Sequence, residues 1–183
     1  MNRLKTKYLT EIKPKMKEEF KITSDLAVPQ VKKIVINVGS SDAKDDEGIL
    51  TRLKTNVQAL SGQAPVVTKA KQSISAFKLT QGAPIGVMVT LRGDRMYAFL
   101  DKMINLALPK VRDFRGVPAR SFDGRGNYNL GLREQTIFPE VEFTPQDKNH
   151  GKIRGLQVTI TMNAKNPAQG RRLLELMGMP FMK

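Results

Sequence analysis

Apolar residues recur at every fourth position near the start of the chain, at Leu4, Tyr8, Ile12, Met16 and Phe20, with lysines in the gaps. That spacing predicts an amphipathic helix with a basic outer face. Pro14 should kink or break it, because proline lacks the amide that a helix interior needs. After Pro29 the period drops to two: Ile34, Ile36 and Val38 point one way, and Lys33, Val35 and Asn37 the other. A polar, acidic loop covers Gly39 to Gly48. Ile49, Leu53, Val57 and Leu60 then mark one face of a second helix, which Ser61-Gly62 ends. Pro65-Val66-Val67-Thr68 reads as a short strand. The stretch from Lys69 to Pro84 reads as a long, basic, partly mobile loop or hairpin.

Alternation returns where Val87, Val89 and Leu91 interleave with Met88, Thr90 and Arg92. Gly93-Asp94 opens a third helix with Met96, Phe99, Leu100, Met103, Ile104 and Ala107 on its buried face, stopped by Pro109. Residues 110–140 are glycine-rich and irregular, apart from an extended piece at Tyr128–Leu132. A late strand sets Leu156, Val158, Ile160 and Met162 against Gln157, Thr159 and Thr161, and Pro167 begins a last helix with Leu173, Leu174 and Met177. Three strands thus share one aliphatic face and one face of Asn, Thr, Gln, Arg and Lys. Such strands suit a sheet covered by helices on one side only. The expected architecture is α+β, an open-faced, mainly antiparallel sheet with helices packed on one face. The 183 residues fit a single domain, with the basic loop at about 69–84 protruding from it.

The bare polar face gains meaning from charge. Thirty-one Lys and Arg oppose 17 Asp and Glu, giving a formal charge of +14 and a pI near 10.1. A folded chain with that excess calls for a polyanionic partner, and nucleic acid fits best. There is no cysteine, which excludes disulfides and thiolate metal sites. The one histidine, His150, sits in a polar run from Thr144 to Lys152, where a solvated loop residue is expected rather than a catalytic one. No apolar run is long enough to span a bilayer, and no signal-peptide core follows Met1, so a cytosolic chain with no membrane partner is expected.

A search for catalytic chemistry returns little. The run from Gly124 to Gly131 misses the dinucleotide fingerprint, and no P-loop sequence occurs. Acids between Asp42 and Glu47 suggest a metal-dependent nuclease at most. Helix N-terminal charge explains Asp45, Asp46 and Glu47 more simply. No metal, cofactor or catalytic residue is assigned. Aromatic residues make up only 6%, and no strand carries the paired aromatics of a base-stacking single-strand reader. Recognition of a folded RNA through phosphates, 2′-hydroxyls and shape is therefore favoured, with a general RNA chaperone as the other non-enzymatic reading.

Longer motifs sharpen this. Val57-x-x-Leu60-Ser61-Gly62-Gln63-Ala64-Pro65-Val66-Val67-Thr68-Lys69-Ala70-Lys71-Gln72-Ser73 closely resembles the signature of the large-subunit ribosomal protein that binds 5S rRNA, the fifth in the standard series. Phe77-Lys78-Leu79, Gln81-Gly82, Pro84-Ile85-Gly86, Val89-Thr90-Leu91-Arg92-Gly93 and Arg112-Asp113-Phe114-Arg115-Gly116 are similar too. So are Ser121 to Tyr128, Arg133-Glu134-Gln135, Ile137-Phe138-Pro139-Glu140 and Pro180-Phe181-Met182-Lys183, in the bacterial form of the family. The segment 144–152 departs from the pattern, being longer and more polar.

The resemblance implies a non-enzymatic, cytoplasmic component of the large ribosomal subunit with no cofactor. It would anchor 5S rRNA at the central protuberance beside other large-subunit proteins, touch 23S rRNA, reach P-site tRNA with a loop, and bridge to a small-subunit head protein. It implies 5S rRNA contacts at Asn37, Gln63, Thr68, Lys69, Lys71, Thr90 and Arg92, and tRNA contacts at Ser75, Phe77, Lys78 and Gln81. Short uncharged side chains such as Asn37, Gln63 and Thr90 suit 2′-hydroxyls and base edges, which charge alone cannot tell apart. Ordinary sheet-edge polarity and helix capping are the plainer account of the same residues.

Overall fold

The structure, a computed structural model, describes residues 2–44, 46–141 and 154–182. The 144–152 segment and His150 lie outside the described residues. In chain order the elements are helices α1 (Arg3–Lys7) and α2 (Lys13–Glu19), strand β1 (Val31–Gly39), helix α3 (Glu47–Ser61), strands β2 (Val66–Lys69) and β3 (Pro84–Leu91), helix α4 (Gly93–Lys102), strands β4 (Tyr128–Leu132) and β5 (Leu156–Met162), and helix α5 (Pro167–Leu176). The strands bond in the order β2-β3-β1-β5-β4, an open antiparallel sheet with helices, so the α+β expectation holds. The aliphatic residues of β1, Ile34, Ile36 and Val38, are fully buried, whereas Lys33, Val35 and Asn37 are half-buried. The same holds in β3, where Val87, Val89 and Leu91 face the core.

Two compact units are distinguished, each assembled from separate stretches of chain. One combines Met1–Val35, Leu91–Leu130 and Val158–Lys183. Its first helix does not break at Pro14. A π-helical turn at Tyr8–Ile12 joins α1 to α2, so Pro14 falls at the start of α2, where its missing amide has no partner to lose. Tyr8 is buried, donates its hydroxyl to the Pro29 carbonyl (3.0 Å), and lies 6.5 Å from the Tyr97 ring. Burial pushes its phenol up to about 12. Much of this helix's basic face is engaged: Lys5 pairs with Asp94 (2.7 Å), and Lys13 and Lys17 both pair with Asp25 (3.3 and 2.6 Å). The lysines hold both carboxyls below their ordinary range. A second π turn, Met103–Ala107, continues α4, and the six residues expected on that buried face are all buried. Helix α5 starts at Pro167, with the Asn166 side chain accepting the Gln169 amide (2.9 Å).

The other unit combines Ile36–Thr90 with Gly131–Gln157. Asp46 caps α3 by accepting the Gly48 amide (2.7 Å), and Gly62, in the left-handed conformation at φ 68, closes it. Arg154 holds the turn after β1, its guanidinium donating to the Ser40 hydroxyl and pairing with Asp42 at 3.2 Å. The Arg154 carbonyl accepts the Gln135 amide (3.1 Å). Gly155 passes so close to β4 that a Cβ there would lie 2.7 Å from the Leu132 carbonyl oxygen. Glycine is required at that crossing.

Candidate nucleic-acid interface

Register fixes which side chains share a face. In the β2–β3 pair Val66 lies opposite Met88, Val67 opposite Val87, and Thr68 opposite Gly86, with an irregularity before Lys69 meets Pro84. Val67 and Val87 therefore occupy the core side, and Thr68, Gly86, Met88 and Thr90 the other. Asn37 belongs to that second side too, since it alternates with the buried Ile36 and Val38. Gly86 makes the close spacing possible. A Cβ on it would overlap the Val38 carbonyl oxygen, and would lie 3.1 Å from the Gly39 Cα and 3.2 Å from the Thr68 hydroxyl oxygen.

Gln63 joins this patch from the end of α3. Its backbone amide is held by the Ser61 hydroxyl at 3.3 Å, and its side-chain Nε2 donates to the Thr90 carbonyl at 3.2 Å. The bond ties the helix exit to β3 and orients the amide. Asn37, Gln63, Thr68 and Thr90 are all half-buried, so their polar groups sit on a firm backbone with one side still reachable. This is a hydrogen-bonding surface without formal charge.

Charge enters along the hairpin that connects β2 to β3. Lys69 and Lys71 are exposed at its base, where Ala70 donates its amide to the Ala83 carbonyl and accepts the Gly82 amide, both at 2.9 Å. Farther out, Ile74 and Leu79 pair across the hairpin through two backbone bonds of 2.9 and 3.1 Å. The Ser73 hydroxyl accepts the Gln81 amide at 2.9 Å. Ser75–Phe77 form a 3-10 turn, and Lys78 takes a left-handed backbone at φ 49 to reverse the chain. Ser75, Phe77, Lys78 and Gln81 thus gather at the outer end, with Phe77 71% exposed. Among the described residues Phe77 is the one exposed aromatic ring, the others being buried or half-buried. The structure thus separates the expected residues into a polar patch with a basic margin and a distal tip. Arg92 is exposed at the N-cap of α4.

Two acids of the Asp42–Glu47 run have duties other than holding a metal. Asp42 pairs with Arg154 and Asp46 caps α3, while Asp45 lies outside the described residues. Among the described residues no group of three or more His, Cys, Asp or Glu could hold a metal ion, and no helix is long and apolar enough to cross a membrane. Asp123, in the glycine-rich run, accepts the Arg125 and Asn127 amides (2.9 and 2.7 Å) and the Asn127 side chain (2.7 Å). Those bonds, the one from the Asn127 side chain first, keep its carboxyl below the ordinary range. The run makes a tight turn into β4.

Sequence reasoning missed the bond from Gln63 to Thr90 and the closeness of Gly86 to Val38. The only local signal for either was a glutamine directly after a helix stop and a glycine inside a strand.

Comparisons with known proteins agree along almost the full length. The family described as Ribosomal protein L5 matches residues 24–79, and the one that describes the C-terminus of the same ribosomal family matches residues 84–181. The large ribosomal subunit protein uL5 of Microcystis aeruginosa is 54% identical over 179 residues, covering 98% of each chain. Its counterpart in Desulfatibacillum aliphaticivorans is 51% identical over 183 residues and 100% of both, and that of Streptococcus pyogenes 50% identical over 182 residues, 100% of this chain and 99% of its own.

Proposed function

The chain belongs to the ribosomal protein L5 family, and from that membership we propose that it anchors 5S rRNA to the large ribosomal subunit. As a member it is a structural, non-catalytic component of the large subunit and acts on the cytoplasmic ribosome. The observation that carries the finer reading is the uncharged patch of Asn37 on β1, Gln63 at the exit of α3, and Thr68 and Thr90 on the β2–β3 pair, bordered by Lys69 and Lys71. Lysines beside such a patch attract phosphates without regard to sequence, while oriented amides and hydroxyls select the shape and 2′-hydroxyls of one folded RNA. The hairpin tip, with Phe77 and Lys78, suits a contact with P-site tRNA beyond the anchored RNA. Contacts with 23S rRNA, with neighbouring proteins of the central protuberance and with a small-subunit head protein complete the proposed set of partners.

Binding of 5S rRNA across a salt series separates these roles. Wild-type affinity should fall with a log–log slope near −3 to −4, as for about 5 neutralised phosphates on irregular RNA. Asn37→Ala or Thr90→Ala should weaken binding by roughly 1–3 kcal/mol with the slope almost unchanged, because a polar pairing is lost and no charge. Lys71→Ala should instead make the slope shallower by about 0.7–0.9. Wild-type affinity in both polar variants, at unchanged melting temperature, would show the face to be mere solvated surface.

A further inference from the structure

The chain contains one Asp-Gly step, Asp123-Gly124, and no Asn-Gly. At an Asp-Gly step a protein backbone can rearrange without an enzyme. The Gly124 amide nitrogen attacks the Asp123 Cγ; an N–C bond forms, a C–O bond breaks and water leaves. Water then adds to the main-chain carbonyl carbon of Asp123 in the resulting succinimide. The bond from that carbon to the Gly124 nitrogen breaks, and the chain now runs through the former side chain. The product, an isoaspartyl linkage, keeps the original mass and needs no oxidant. Glycine favours the step because it has no Cβ to hinder ring closure. Asp123 and Gly124 are both exposed, so burial does not shield them.

The turn does shield them. One carboxylate oxygen of Asp123 accepts the Arg125 and Asn127 amides (2.9 and 2.7 Å), and the other accepts the Asn127 side-chain amide (2.7 Å). In the main chain the Asp123 carbonyl accepts the Gly126 amide (3.1 Å), and the Asp123 amide donates to the Asn127 carbonyl (2.9 Å). Ring closure needs a neutral carboxyl that is free to tilt onto the Gly124 nitrogen. Bonds that favour the anion and fix its plane oppose both requirements. The depressed titration of Asp123 agrees with this.

The flanks of the turn are fixed within the same unit. Asn127 Oδ1 accepts the Met162 amide at the end of β5 (2.9 Å). Gly126, at φ 78, is packed so that a Cβ would lie 2.7 Å from the Asn166 carbonyl oxygen. Tyr128 donates its hydroxyl to the Pro118 carbonyl (3.1 Å) and packs with Phe122 on Phe181, which bridges to Val117. Opening the turn therefore loosens several contacts together. Gly124, by contrast, is not demanded by shape: it has no left-handed φ, and a Cβ there meets nothing within 4 Å.

We propose that Asp123-Gly124 is a masked isomerisation site, which rearranges to an isoaspartyl linkage when its turn is open and is protected when Asn127 closes it. The rearrangement adds a carbon to the main chain, which a turn packed at Gly126 does not accommodate. A chain that ages unfolded is thus marked at one exposed place, as a substrate for an enzyme that methylates isoaspartyl carboxyls.

The test incubates the full chain at neutral pH, once folded and once in guanidinium chloride. Isoaspartate is read in the tryptic peptide Ser121–Arg125 by electron-transfer fragmentation, and in total by methyl transfer from S-adenosylmethionine. The folded chain should accumulate it at least about ten-fold more slowly than the denatured one. Asn127→Asp keeps an oxygen for the Met162 amide but loses the donor to Asp123 and places a like charge beside it. It should raise the rate in the folded chain roughly three- to ten-fold and leave the denatured rate unchanged. Gly124→Ala should slow the reaction in denaturant at an unaltered melting temperature. Equal rates in folded and denatured wild type overturn the proposal, and that comparison decides even where Asn127→Asp does not fold. A folded Asn127→Asp that reacts no faster than wild type overturns the role of Asn127, and isoaspartate gathering mainly at other positions in denaturant overturns the site.

Discussion

Replacing Gly86 with alanine adds a single methyl group to the spot where β3 comes closest to the end of β1. That carbon would overlap the Val38 carbonyl oxygen and press on the Gly39 Cα at 3.1 Å and the Thr68 hydroxyl at 3.2 Å. Two of the three neighbours are backbone, so a rotamer change cannot relieve the contact. The strands must separate by several tenths of an ångström. Overpacking of this kind costs about 1–3 kcal/mol. For a chain of this size that lowers the melting temperature by roughly 2–12 °C. Gly39→Ala is the matched control, because nothing lies within 4 Å of a Cβ there. It should be neutral or stabilise by about 0.4–1 kcal/mol through the unfolded chain. Urea unfolding followed by circular dichroism measures both, with equal m-values confirming that the comparison is fair. The displaced Thr68 hydroxyl adds a functional readout: 5S rRNA affinity should fall for Gly86→Ala under conditions where the variant is fully folded. Equal stability of the two alanine variants would refute the close approach and the strand register built on it.

Two further outcomes are expected. Removing the hairpin tip, Phe77–Gln81, should leave 5S rRNA binding nearly intact while weakening tRNA-dependent ribosome function; loss of 5S binding would assign the hairpin to the wrong RNA. Tyr128 is buried, and that burial pushes its phenol up from 10.0 to about 12. The folded state thus favours the protonated form, so its contribution is intact below pH 10 and disappears as pH rises from about 10 to about 12. Tyr128→Phe should cost about 0.5–1.5 kcal/mol at pH 7, through the lost bond to Pro118, yet show a shallower alkaline decline. Urea midpoints from pH 7 to 11.5 check this, and parallel declines of variant and wild type would count against it.

Periodic elements could be read from sequence because their cause is local. Ile34, Ile36 and Val38 must share a side in any extended chain, and Met96, Phe99, Leu100 and Met103 must share a helical face. Pro14 marked an irregularity whose form the sequence could not give, because its cost depends on register. The π turn at Tyr8–Ile12 moves it to a position where no bond is missing, and nothing in the spacing of Leu4, Tyr8 and Ile12 announces that turn. The polar patch was half legible. Asn37 and Thr90 stand out by breaking aliphatic runs, but the bond from Gln63 to Thr90 spans 27 positions. The staple between Val117 and Phe181 is more distant still, and each partner alone looks like an ordinary apolar residue in a loop.

The way one unit closes on itself sets a timetable for making it. Gln30 donates its amide to the Asn163 side chain at 2.6 Å and accepts the Asn163 amide at 3.2 Å, contacts that join positions 133 residues apart. The first half of β1 and the helix before it therefore leave the ribosome that synthesises them long before their partners exist. At about 5–20 residues per second, that interval is on the order of 10 s. Throughout it, β1 lacks its sheet neighbour β5, and the growing chain must rely on chaperones or on transient local collapse. A translational pause late in the chain would lengthen that exposure and favour aggregation.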